Sequence, residues 1–190
     1  MFPKMIKIRQ EFLDDALENV PQTVKHELER AQISRVMKEG DDVGITVGSR
    51  GITDLSQILK VIVDGILKMK AKPFFIPAMG SHGGAEASSQ ARIVREMVGK
   101  DLSHLPIIAT MDVEKIGNAS GMPVYFSSDA LKLDKIIVVN RVKPHTDFRG
   151  AIGSGLLKML VIGLGKYRGA EACHVAARKL GLERVTKQSW

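Results

Sequence analysis

Three short apolar runs, each ending in a loop that carries a histidine or an arginine, constrain this chain most. They are Val43-Gly-Ile-Thr-Val47, before Gly48-Ser-Arg-Gly51; Lys72–Met79, before Gly80-Ser-His-Gly-Gly84; and Lys135–Asn140, before Arg141-Val-Lys-Pro-His145. Apolar runs of this length, bounded by turn residues, read as buried strands. Between the first two, Leu55–Lys70 repeats its apolar residues at helical spacing, with Thr53 or Asp54 placed to cap it; a second helix follows through Val98. Strands alternating with helices imply an α/β fold, a mainly parallel sheet with helices on both faces. Right-handed crossovers bring the carboxyl ends of parallel strands to one edge, where open α/β sheets bind ligands. Arg50, His82 and His145 are expected to converge there.

The remaining segments are read more coarsely. Residues 11–39 are polar and helix-prone with an interruption at Pro21, and Gly40-Asp-Asp42 is a turn. Pro106–Thr110 and Pro123–Ser127 read as further strands, with Gly117–Gly121 as a turn, and two helices over about 154–165 and 168–180 end the chain. At 190 residues and 44% hydrophobic, the chain holds enough apolar surface for one core and is read as a single domain, 1–190.

Composition removes several function classes. No run of 18 apolar residues is free of charge, and the start, Met1–Gln10, lacks the apolar core of a signal peptide. The one cysteine, Cys173, rules out an internal disulfide framework and a multi-cysteine metal site, so a cytoplasmic location is the default expectation. The net charge is +7, but the basic residues are spread out and only two Tyr, one Trp and six Phe are available for stacking. That pattern argues against a nucleic-acid surface and for attraction of an anionic substrate or a phosphate-bearing cofactor.

Residues 141–174 concentrate the candidate chemistry. Glycines there admit positive φ and let backbone amides approach a ligand, and each following helix offers N-terminal amides to an anion. Lys158 lies between Gly155-Leu-Leu and Met-Leu-Val-Ile-Gly163, an unusually apolar setting for a lysine, whereas His174 within Ala-Cys-His-Val-Ala-Ala also fits a satisfied core histidine. His82 alone also fits a loop histidine bonded to backbone, and Arg50 fits a phosphate contact, a substrate contact or a surface ion pair. His26 and His104 sit in polar segments and read as solvated. Cys173 points about 100° away from its neighbour His174 on a helix, which favours packing over metal binding.

The set Ser49-Arg50, Gly80-Ser-His82, Pro144-His145, the glycine segment ending at Lys158, and His174 resembles the N-terminal half of the nickel-dependent lactate racemase family, whose domain is Rossmann-like. The resemblance covers roughly residues 40–175 and rests on the order and spacing of all five motifs, including the 16 positions between Lys158 and His174. It implies a nickel-pincer nucleotide, a pyridinium mononucleotide (nickel pyridinium-3,5-bisthiocarboxylic acid) tethered to a lysine through a thioamide. By this resemblance Lys158 is the tether and His174 the nickel ligand, with Ser49, Arg50, Gly83 and Gly155 around the cofactor. His82 and His145 become paired acid/base residues of a 2-hydroxy acid racemase or epimerase. Racemisation through a planar keto acid presents the hydroxyl from two sides, so two proton carriers are needed, and histidine titrates near neutrality. A pincer plus one imidazole completes square-planar nickel. The second nitrogen of His174 is expected to hold a hydrogen-bond partner of its own.

Two departures set the chain apart from lactate racemase proper. His145 and Lys158 are 13 positions apart, about three more than the family pattern, and the acid often found three before the arginine is Val47 here. Both point to a homologue acting on another 2-hydroxy acid, or running different chemistry on the same cofactor. The implied partners are a small anionic 2-hydroxy acid and the cofactor-maturation enzymes, with no nucleic acid or membrane. A missing C-terminal second domain, or another copy in a homo-oligomer, would complete the pocket. Two other classes stay open: a non-catalytic nucleotide- or phosphate-binding module, and a partner-dependent half-enzyme. No G-x-G-x-x-G follows the first strand, which weakens an ordinary dinucleotide fold.

Overall fold

A computed structural model describes residues 5–12, 16–49, 51–119, 121–143, 155–181 and 183–185. Arg50 and His145 lie outside the described residues. The first helix, α1 (Val20–Arg30), opens on Asn19, whose side chain accepts a hydrogen bond from the Gln22 amide at 3.0 Å. Pro21 does not interrupt this helix but belongs to its first turn, where a missing N–H leaves no bond unmade.

Strand β1 (Asp42–Val47) pairs in parallel with β2 (Lys72–Pro77) from Asp42↔Lys72 to Val47↔Pro77. On its other side it pairs in parallel with β5 (Lys135–Ile137), from Val43↔Lys135 to Ile45↔Ile137. The order is therefore β2-β1-β5, a parallel sheet in an α/β fold. Between β1 and β2 runs α2 (Leu55–Lys68), which buries Leu55, Leu59, Ile62, Val63 and Ile66. Asp54 precedes it in a left-handed conformation (φ 57°), so its carboxylate does not cap the helix and instead accepts from the Gln57 side chain at 3.3 Å. A capping side chain needs an extended backbone at that position.

Helix α3 (Ala87–Val98) follows β2. Pro106–Thr110 contributes one parallel bridge, Ile107 to Phe75, in place of a full strand. Strands β3 (Val113–Ala119) and β4 (Met122–Ser127) form a separate antiparallel hairpin. Gly117 to Ala119 belong to β3 and not to a turn; the ladder absorbs them by shifting register between Lys115 and Gly117, a bulge of the kind glycine accommodates. The chain continues with a short helix α4 (Leu156–Lys158), a π-helical turn (Met159–Gly163) and α5 (Lys166–Leu180).

Side chains alternate across a strand, and this decides what covers each face of the sheet. Val43, Ile45, Val47 and Phe75 pack with Leu59, Ile66, Val94 and Val98 of α2 and α3. On the opposite side Ile76 packs with Phe126 of the hairpin and with Leu164, backed by Met159 and Leu160. That second layer carries the segment leading into α5.

The apolar run 135–140 pairs as a strand only to Ile137. Past that point the buried Thr46 hydroxyl takes over, accepting from the Val139 amide at 3.0 Å and donating to the Val139 carbonyl at 3.4 Å. One side chain thus substitutes for the next ladder step and fixes where Asn140 and Arg141 leave the sheet. Replacing it removes a hydrogen bond from a half-buried amide, which costs about 0.5–1.5 kcal/mol. Thr46→Val should lower unfolding stability by that amount in urea titrations, with faster hydrogen exchange at Val139.

Candidate active site

The carboxyl ends of β1, β2 and β5 open on one edge of the sheet, and a cavity of about 500 Å³ lies there. That volume is in the range of small-molecule sites, roughly 300–1,000 Å³. β1 delivers Ser49, β2 delivers His82, and the segment after β5 delivers Asn140, Arg141 and Lys143. The opposite wall comes from Gly155, Lys158 and, on α5, His174. The structure thus brings together Ser49, His82, Gly155, Lys158 and His174. Gly83 is not among the lining residues and instead shapes the turn into α3, at φ +65°.

The His82 loop is held from two directions. Its ring Nδ1 lies 2.8 Å from the Ser49 hydroxyl. From behind, the buried Gln90 amide donates to the carbonyls of Gly80 at 3.0 Å and His82 at 2.9 Å. Gln90 escaped the sequence reading, although a polar residue in register with Val94 and Val98 on the buried stripe of α3 was visible. Gly80 adopts φ +60°, and a Cβ there would come within 3.2 Å of the Ile162 carbonyl oxygen.

The wall carrying Lys158 is seated by a closer approach. A Cβ on Gly163 would lie 2.8 Å from the Ala78 carbonyl oxygen, so only glycine lets this segment rest against the end of β2. The chain then reverses at Lys166, itself at φ +54°, and starts α5. One continuous helix would place residues 158 and 174 about 24 Å apart at ~1.5 Å per residue. The break instead sends both to one cavity. Among the described residues the His174 ring has no hydrogen-bond partner, so the second-nitrogen partner expected from the sequence is not found there.

Charge sets what the cavity attracts. Arg141, Lys143 and Lys158 line it, and its described lining contains no carboxylate. Arg141 also donates to the Gly51 carbonyl at 3.4 Å. Such a cationic concavity favours carboxylates and phosphates. Cys173, adjacent to His174, is fully buried, and burial raises its thiol pKa to about 11 against the opposing pull of Lys158. It is a packed, protonated thiol at neutral pH.

Lys166 is the second residue that sequence reasoning missed. Its side chain is fully buried, and Nζ donates to the Pro77 carbonyl at 2.8 Å. Burial lowers its pKa from the usual 10.5 to about 8, with the Asp129 carboxylate opposing that shift. Its neighbours Leu164, Gly165 and Tyr167 contain no signal that could have singled it out.

A parallel α/β sheet with a cationic, histidine-lined cavity at its strand ends defines the class: an α/β domain. A family model for the lactate racemase N-terminal domain matches residues 5–183, and the chain belongs to that family. No curated protein and no solved structure matches it. No helix among the described residues is long and apolar enough to cross a membrane.

The buried lysine yields a pH signature. Between its folded value near 8 and the usual 10.5, the unfolded chain binds more protons than the folded one, so stability rises with pH through that window. The full rise amounts to about 3 kcal/mol. Lys166→Met should flatten it, read by comparing urea midpoints near both ends of the window.

Proposed function

We propose that this chain is the cofactor-anchoring half of a 2-hydroxy acid racemase or epimerase that works by hydride transfer with a lysine-tethered nickel-pincer nucleotide. The observation that carries the reading is that Lys158 and His174 line one cavity from separate helical segments. The donor set fits the group: the described lining offers imidazoles and cationic side chains but no carboxylate or thiolate, which suits a metal arriving with its own sulfur ligands. When bound, the nucleotide supplies a reversible hydride acceptor.

The chain's own residues do the rest. Lys158 tethers the ring, His174 provides one imidazole to nickel, and Ser49, Arg50 and Gly155 surround the cofactor, while Gly83 shapes the turn after His82. Arg141 and Lys143 draw the substrate carboxylate inward, a role that cationic walls perform over several ångströms. His82 and His145 exchange the hydroxyl proton, one for each enantiomer. A second α/β domain or a partner chain completes the pocket, and cofactor-maturation enzymes load it.

Intact-mass spectrometry of the protein co-expressed with the cofactor-making enzymes tests this directly. The wild-type chain should carry a covalent adduct and about one equivalent of nickel. Lys158→Ala should lose the adduct, while His174→Ala should keep it and lose the metal. An unmodified wild-type chain that still binds inorganic phosphate would instead support the non-catalytic anion-binding reading.

A further inference from the structure

We infer that Ser49 is a positioning residue for His82: its hydroxyl accepts the Nδ1–H of the ring and so makes Nε2 the nitrogen that exchanges a proton with a ligand in the cavity. The inference rests on the acid/base role proposed above for His82. It assigns Ser49 a part distinct from contacting the cofactor.

The geometry comes from two loops 33 residues apart that meet at a 2.8 Å contact between Ser49 Oγ and His82 Nδ1. The backbone beneath the ring has little freedom. Gln90 binds the His82 carbonyl, and the His82 amide donates to the Met79 carbonyl at 3.2 Å. With the main chain held, the Ser49 contact restricts the ring's orientation, and its direction is tied to the tautomer.

A neutral imidazole has one N–H and one bare nitrogen. If the hydroxyl donated to Nδ1, Nε2 would keep its hydrogen and could not take a proton from a substrate hydroxyl. If the hydroxyl accepts, Nε2 is bare and ready. Once Nε2 has taken a proton, both nitrogens carry hydrogen, and Nδ1–H still needs an acceptor. Only the accepting arrangement serves both states, and the hydroxyl's own hydrogen remains available to another acceptor. The hydroxyl takes at Nδ1 the place that an acid fills at many catalytic histidines.

Long-range ¹H–¹⁵N correlation of the ¹⁵N-histidine-labelled full chain tests this without cofactor, with His82 assigned from a His82→Gln spectrum and the rings neutral. Wild-type His82 should show a protonated Nδ1 and a bare Nε2. Ser49→Ala should move the ring towards the Nε2–H form that free imidazole prefers, and Ser49→Thr should keep the wild-type pattern. In the loaded, complete enzyme Ser49→Ala should lower kcat about 10–100-fold with KM unchanged, and threonine should restore it. An Nε2–H ring in the wild type, or ring shifts indifferent to Ser49→Ala, would overturn the inference. If the ring responds as expected but the loaded chain shows no adduct, the positioning role stands and the racemase reading falls.

Discussion

The close contact between Gly163 and the end of β2 supports the rest of the site. A parallel strand leaves its last carbonyls pointing outward, and here they receive a second segment of chain in place of water. Ala78 meets the bare Cα of Gly163, the Gly80 amide reaches the Gly163 carbonyl at 3.4 Å, and the Pro77 carbonyl takes the Lys166 ammonium. These three contacts seat Lys158 on one side of the corner and start α5 on the other. Any larger side chain at position 163 would displace the wall that faces His82.

The same corner contains a chemical tension. Pro77 has no backbone N–H to complicate its environment, but its carbonyl is buried and requires a donor. A lysine meets the need at the cost of burying an ammonium group, which proteins tolerate only with compensation. Asp129 offsets part of that cost through space. A neutral donor would have been cheaper; an ammonium on a long, flexible stem reaches 89 positions back along the chain to the strand end.

Much of this architecture was legible because it depends on local signals. Val43–Val47, Lys72–Pro77 and Leu55–Lys68 carry their periodicity in the sequence, and the glycine loops after them mark the strand ends. That Ser49, His82, Lys158 and His174 line one cavity accords with their order and spacing in the sequence. What stayed hidden depends on long-range partners. The hairpin β3–β4 looked like a turn beside a strand because its glycine sits at a bulge. The shortening of β5 reflects the Thr46 hydroxyl, which competes with the ladder from 93 positions away. Gln90 and Lys166 gain their meaning only from carbonyls on another element, and no window of neighbouring residues contains those.

The π-helical turn over Met159–Gly163, closed by the Leu164 amide on the Met159 carbonyl at 2.8 Å, gives the site a tolerance in length. Such a turn holds one residue more than an α-helix would use over the same span. With Gly163 pinned to β2, deleting a single residue between 159 and 162 would convert the turn to ordinary helix over the same path, and Lys158 would keep facing the cavity. The same deletion within ordinary α-helix would instead rotate everything before it by about 100°. Functional relatives one residue shorter should therefore lose that residue here rather than in α5, a freedom of length rather than of identity.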